Sequence, residues 1–157
     1  MSEELIKSVQ DMLKEETWTR ATISNYTKNN LMELATIVER AHNENCANEI
    51  QEICNEQLAN TKDSIIALYI SGMISLKNRT LDNSALVALV DIFQKNMKES
   101  IVEYLCQSIL DDDPNNKFAL RTLAEYYRSI NDEKVWELYN QIVKLDFEEA
   151  DLTKALA

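Results

Sequence analysis

Apolar residues recur every three or four positions along most of the chain, which is the spacing of an amphipathic α-helix. At the start, Leu5, Val9 and Leu13 follow Ser2, a residue that favours the N-cap position. This pattern predicts a first helix over about 3–16.

Similar stripes predict helices along the rest of the chain. Trp18, Ile23 and Tyr26 indicate a short second helix, and the Asn29-Asn30 pair indicates a stop followed by a new cap. The segment 82–110 fits either one helix pair or a pair with a displaced helix. The later stripes lie at 31–38, 47–58, 63–77, 86–93, 101–110, 120–127 and 135–145, and a further helix is expected from Ala150.

Two of these segments suggest how the helices pack. The polar run 42–45 interrupts the stripes on either side of it, so those two helices should form a hairpin. The segment 63–77 carries apolar residues around its whole circumference, which indicates burial on more than one side. We therefore expect it to be the central helix.

An internal repeat is the most informative feature of the sequence. Five pairs of residues are separated by 33 positions: Val102 and Val135, Leu105 and Leu138, Ile109 and Ile142, Asp113 and Asp146, and Pro114 and Phe147. Repeats of this length are typical of stacked helical hairpins, in which each unit buries its apolar face against the next.

The segment 117–147 resembles a tetratricopeptide repeat (TPR). Its first helix carries small and large apolar residues at the family's spacings. The segment departs from the pattern at Val135, where the family prefers alanine, and at Phe147, which replaces the closing proline. The first-helix residues that carry the resemblance are Leu120, Leu123, Ala124 and Tyr127.

A weaker match lies earlier in the chain. Leu68 and Gly72 occupy the positions of Leu120 and Ala124, so the single glycine is expected to mark a close contact between helices. In this register two small polar residues, Ser71 and Ser75, replace the large apolar side chains of the later unit.

These observations predict an all-α fold of antiparallel helical hairpins stacked as a TPR-like right-handed solenoid; an ordinary helical bundle is the alternative. We expect one domain over 1–157, with N-terminal helices at 1–29 and helical repeats at 30–157. The terminal repeat of a solenoid normally has a polar outer face, whereas this sequence ends on a segment with the apolar residues Leu152 and Leu156. The sequence is therefore predicted to be the N-terminal piece of a longer protein.

Composition excludes several classes of protein. One glycine and one proline in 157 residues argue against an all-β fold and against glycine-rich phosphate-binding loops. A net charge of -11 argues against direct binding to nucleic acids or an anionic membrane. Acidic residues are concentrated in the segment 99–151, which contains 13 acidic and 5 basic residues.

The residue types that support catalysis or metal binding are scarce. Three cysteines and no secretory or membrane-spanning segment indicate a cytoplasmic protein with reduced thiols. His42 is the only histidine, and a calcium-loop pattern starting at Asp111 fails at Asn116 and Thr122. We expect no metal, no cofactor and no enzymatic activity, and we expect Trp18 and Trp136 to be packing anchors.

A binding surface is the remaining possibility. By analogy with TPR proteins, the concave side of the first helix in each pair gives five candidate partner-binding residues: Tyr69, Met73, Arg121, Glu125 and Arg128. The last three are spaced as helical neighbours, so a surface salt bridge along the helix is the alternative.

Two segments resemble a known family. The opening MSEELIKSVQDMLKEETWTRATISNYTKNN at 1–30, together with SIIALYISGMISLKN at 64–78, is similar to the N-terminal helical region of long transcription elongation factors of the GreA type. In that family a coiled-coil finger with an acidic tip enters RNA polymerase, and neither the finger nor the C-terminal domain is visible here.

The resemblance implies a non-catalytic protein–protein interaction module that acts with RNA polymerase or with another part of the full-length chain. None of the family's catalytic acids can be placed on residues of this chain. The alternative is a stand-alone TPR-like adaptor in an unrelated complex.

Overall fold

The computed structural model describes residues 2–19, 23–80 and 82–156, all of which lie in helices or their connections. These residues contain a 3-10 helix, Ile23–Asn25, and no strand. The prediction of an all-α fold is therefore confirmed. The α-helices are α1 (Ser2–Thr19), α2 (Lys28–Asn43), α3 (Ala47–Asn60), α4 (Ile65–Lys77), α5 (Ser84–Lys95), α6 (Glu99–Asp112), α7 (Lys117–Ser129) and α8 (Lys134–Leu156).

The start of α2 differs from the expected stop at Asn29-Asn30. Thr27 is the N-cap, and the Oδ1 atom of Asn30 accepts a hydrogen bond of 2.8 Å from the Thr27 backbone N–H. Asn30 thus supplies the reciprocal half of a capping box, a role usually taken by Glu or Gln. The predicted stop is wrong because both asparagines lie in the first turn of α2, and the predicted new cap lies two residues earlier, at Thr27, with Asn30 contributing to it. The predicted division between 29 and 30 falls inside this helix.

The chain folds as two compact units, Met1–Val102 and Glu103–Ala157, with the division inside α6. The segment 82–110 contains two helices, α5 and most of α6, and the choice between a standard pair and a displaced helix stays a prediction. The assignment of the whole chain to one domain stays a prediction.

Helix α4 is the centre of the first unit, as its apolar composition predicts. It packs against α1, α2, α3 and α5, and Lys77 in its last turn is its one charged residue. A helix covered on several sides can carry few groups that need water. Ten of its 13 residues are buried: Ile65, Ala67, Leu68, Tyr69, Ile70, Ser71, Gly72, Met73, Ile74 and Leu76.

Gly72 marks the closest approach of α4 and α5. A Cβ atom built on Gly72 would lie 2.6 Å from Cδ2 and 2.7 Å from Cγ of Leu86, and 3.4 Å from Cβ of Ala85. Carbon atoms in ordinary contact are about 3.5–4.0 Å apart. The expected close helix contact at the single glycine is therefore confirmed.

Four helices of the first and second units end in the same way. The second residue past the helix has a positive φ of 54–59°, and the next backbone N–H bonds a carbonyl five residues earlier, as in a Schellman motif. Glycine usually occupies this left-handed position, yet here it is held by Asn45, Arg79, Met97 and Asn131.

In the second unit α7 and α8 form an antiparallel hairpin. Asn116 caps α7 by accepting a 3.0 Å hydrogen bond from Ala119, and Lys117 at the start of α7 pairs with Asp146 at 3.0 Å. Gln141 of α8 also donates a 2.8 Å hydrogen bond to the Pro114 carbonyl. These contacts bring the beginning of α7 next to the later part of α8.

Helix α8 continues to Leu156 without the break expected before Ala150. In the preceding repeat the break follows Asp113, where Pro114 restricts the backbone of the residue before it. Phe147 stands at the proline position and imposes no such restriction. The expected separate helix from Ala150 is therefore wrong.

Candidate interaction surfaces

The five residues predicted to bind a partner fall into two groups. Tyr69 and Met73 lie in the core of the first unit and are 1% and 4% exposed. Arg121, Glu125 and Arg128 lie on the exposed side of α7 in the second unit. Burial removes the first pair from the accessible surface, whereas a binding role for the other three stays a prediction.

Arg121 makes its ion pair across the hairpin rather than along its own helix. Its Nη2 atom lies 3.6 Å from Oδ1 of Asp146, the same oxygen that contacts Lys117. Because these groups are partly exposed, solvent screens the attraction and the contribution to stability is small. Asp146 therefore joins two basic residues of α7 to the outer part of α8.

A polar seam lies between α3 and α4. Gln51 Nε2 donates to the Ser71 carbonyl at 3.1 Å and to Ser75 Oγ at 2.7 Å, while Ser71 Oγ donates to Asn55 Oδ1 at 2.8 Å. These side chains line a groove of about 270 Å³. The serines that depart from the TPR pattern are thus explained by partners on α3.

The seam has a signal in the sequence that the apolar stripes alone do not reveal. Gln51 and Asn55 are four residues apart on α3, as Ser71 and Ser75 are on α4. Polar residues at this spacing project from one side of a helix, so two such pairs indicate facing polar surfaces.

Glu16 joins α1 to the beginning of α4. Its carboxylate accepts hydrogen bonds from the Ser64 hydroxyl and, at 3.1 Å, from the Ile66 backbone N–H. Ser64 is the N-cap of α4 and Ile66 lies in its first turn, where a negative charge is favoured by the helix dipole. Burial nevertheless raises the pKa of Glu16, because it disfavours the charged form.

Glu16 also lines a cavity of about 720 Å³ in the first unit. Asp63 and Asp91 make the wall acidic, although Lys95 pairs with Asp91 at 2.9 Å. The rest of the wall includes the isoleucines Ile23, Ile65 and Ile92.

The thiols are placed for packing rather than for chemistry. Cys46, Cys54 and Cys106 are all buried and unbridged. Burial raises the pKa of Cys54 and of Cys106 to about 12, and it raises that of Cys46 as well. Nucleophilic cysteines need a lowered pKa, so these environments favour the protonated, unreactive form. Within the described residues, His, Cys, Asp and Glu form no group of three that could hold a metal.

Tyr127 of α7 is held by both neighbouring helices of the second unit. Gln107 Nε2 donates to its hydroxyl at 3.3 Å, and Glu103 accepts a hydrogen bond from it. Lys134 of α8 lies over its ring at 5.4 Å from the centroid. Burial, followed by the contact with Glu103, raises the pKa of Tyr127 to about 12.

Helix α8 carries an exposed apolar stripe on the side that faces away from α7. Trp136, Val143 and Phe147 are 67%, 63% and 69% exposed, and we call them the outer stripe. The spacings of seven and four residues place all three on one side of the helix. The expected packing role of Trp136 is therefore wrong; the side chain of Trp18 lies outside the described residues.

Sequence comparisons provide the evolutionary context. No family model and no solved structure matches the chain. It is 42% identical over 132 residues to the GreA-associated domains protein of Treponema pallidum, covering 84% of this chain. It is 33% identical over 153 residues to transcription elongation factor GreA of Borreliella burgdorferi, covering 97% of this chain. The chain is GreA-related.

The GreA-related chain spans only about a fifth of each relative, 20% and 17% of their lengths. The similarity confirms the resemblance seen in residues 1–30 and 64–78. In the part of the chain that the structure describes, every helix is too short or too polar to cross a membrane.

Proposed function

We propose that this GreA-related chain is a non-catalytic protein-interaction module of a GreA-type transcription elongation factor that acts with RNA polymerase. The observation that carries the proposal is the 33% identity to a GreA protein across 97% of the chain. The setting would be the cytoplasm or nucleoid, where transcription takes place.

We further propose that its helices stack as a TPR-like right-handed solenoid. In the first unit α4 packs on α3, the helix before it, and on α2, two helices before it. Contact between alternate helices is the arrangement by which repeat proteins join one hairpin to the next. The α7–α8 hairpin and the 33-residue offset support the same arrangement in the second unit.

The role in binding is supported by the surface. Exposed apolar patches with polar borders mark interaction sites, and the outer stripe has this character. The buried, protonated thiols support the non-catalytic part of the proposal.

The proposal is tested by immobilising the 157-residue chain and measuring the binding of purified core RNA polymerase from the same organism. We expect saturable binding that survives addition of competitor DNA, because the net charge of -11 disfavours a route through nucleic acid. An absence of polymerase binding, together with reproducible capture of another protein complex, would favour the stand-alone adaptor instead.

A further inference from the structure

The outer stripe gives α8 two apolar sides. One side packs on α7 and includes the buried Val135. The other consists of the outer stripe. A helix in a two-helix hairpin needs only one apolar side, so the second side is available for another element.

The internal repeat indicates what kind of element would cover it. In the 33-residue repeat, Trp136 and Asn140 of α8 are equivalent to Glu103 and Gln107 of α6. These two α6 residues are the ones that hold the hydroxyl of Tyr127. The outer side of α6 therefore contacts the first helix of the next hairpin at Glu103 and Gln107, and Trp136 of the outer stripe occupies the position of Glu103 one repeat later.

Burial follows the same relation. Cys106 is fully buried, whereas its equivalent Tyr139 is partly exposed; Leu110 is partly exposed, whereas its equivalent Val143 is 63% exposed. Both positions are thus more exposed on α8 than on α6.

Charge defines the partner further. Asp146 and Lys134 already contact α7. The charged residues left around the outer stripe are mostly acidic, with Glu133, Glu137 and Glu148 against Lys144. The helix α7 has the opposite balance, since it carries Lys117, Arg121 and Arg128 against Glu125. A helix with the charges of α7 would therefore be attracted to this side of α8.

We propose that the outer stripe of α8 docks an amphipathic helix with the chemistry of α7: an apolar face bordered by lysine and arginine, as the first helix of a further repeat would present. The inference concerns α8 itself and is independent of the proposed link with RNA polymerase. If the chain binds the helix but does not bind polymerase, the proposed link with RNA polymerase is refuted and the docking proposal stands.

The test uses the 157-residue chain with Trp18→Phe, so that Trp136 is the only tryptophan. The probe is an acetylated and amidated peptide with the sequence of residues 117–129, which contains no tryptophan. We expect a saturable blue shift of Trp136 emission as the peptide covers the indole. Anisotropy of a labelled copy of the peptide provides a second measurement.

The matched variants are Val143→Asp on the outer stripe and Met32→Asp on α2, since Met32 is also an exposed apolar residue within a helix. We expect Val143→Asp to weaken binding at least about tenfold because it places a charge in the apolar contact. Met32→Asp should bind like the parent. Circular dichroism confirms that both variants remain folded.

A peptide with Lys117, Arg121 and Arg128 replaced by glutamate should bind at least about tenfold more weakly, and added salt should reduce that difference. Several results would overturn the proposal: no saturable shift, equal effects of the two aspartate variants, or equal binding of the charge-reversed peptide. Self-association of the chain that Val143→Asp abolishes would assign the stripe to a second copy instead.

Discussion

Gly72→Ala offers the sharpest test of the packing in the first unit. On a helix without neighbours, this change would stabilise the protein by about 1 kcal/mol because alanine is the better helix former. In this structure the new methyl group would lie 2.7 Å from Leu86 Cγ. Restoring an ordinary contact requires Leu86, or the whole of α5, to withdraw by about 1 Å.

Leu86 has little room to withdraw, since it is 1% exposed. Inserting a methylene-sized group into a well-packed core costs about 1–3 kcal/mol. This cost outweighs the gain in helix propensity, so we expect Gly72→Ala to lower the free energy of unfolding by about 1 kcal/mol. Urea denaturation followed by circular dichroism measures the change.

Two further variants isolate the contact. Ala88→Gly, at an exposed position in α5, measures the helix-propensity difference without altering the core. Leu86→Ala removes the obstructing atoms, so Gly72→Ala introduced into that background should be stabilising by about 1 kcal/mol. Stabilisation by Gly72→Ala in the parent, or the same effect in both backgrounds, would refute the close contact.

Three other predictions concern the polar groups and thiols. Burial raises the pKa of Glu16 in the folded state, so protonated Glu16 stabilises the fold below pH 4.5, its ordinary pKa, and this stabilisation is lost as the pH rises through the folded-state pKa. Glu16→Gln should reduce the resulting fall of the urea midpoint with pH. An unchanged dependence of the midpoint on pH would contradict the assignment. Asn55→Ala removes the acceptor of the buried Ser71 hydroxyl and should cost about 1 kcal/mol, whereas an unaffected unfolding midpoint would show that the seam contributes nothing. The three cysteines should react with a disulfide reagent at pH 8 only after denaturation, and rapid modification of the native protein would show that the thiols are accessible.

The sequence predicts the helices well where local chemistry and burial agree. The hairpin between α2 and α3 is predicted because the polar run 42–45 offers no apolar side to bury. The central position of α4 follows from apolar residues around its circumference, and the contact at Gly72 follows from the repeat register. In each case one physical effect, the removal of apolar surface from water, determines both the pattern and the structure.

The failures arise where another interaction competes with that pattern. The sequence predicts a helix end and a new cap at Asn29-Asn30, but the N-cap is Thr27 and both asparagines lie in the first turn of α2. It also predicts the end of the second repeat near Ala150, but Phe147 lacks the backbone restriction of proline and α8 continues.

The candidate site is harder to predict than the fold. A stripe reveals that a helix has an apolar side, but only tertiary contacts show whether that side is covered. In the sequence, Tyr69 and Met73 therefore look as accessible as the residues on α7, although α4 is surrounded. Trp136 looks like a core residue for the same reason.

The left-handed residues at the helix ends have a practical consequence. A side chain with a Cβ atom pays about 1 kcal/mol or more for this conformation, asparagine less than arginine or methionine. Arg79 and Met97 therefore place a small conformational strain on the backbone at the ends of α4 and α5. Glycine at either position would remove this cost and raise the free energy of unfolding, and it would leave the outer stripe on α8 unchanged.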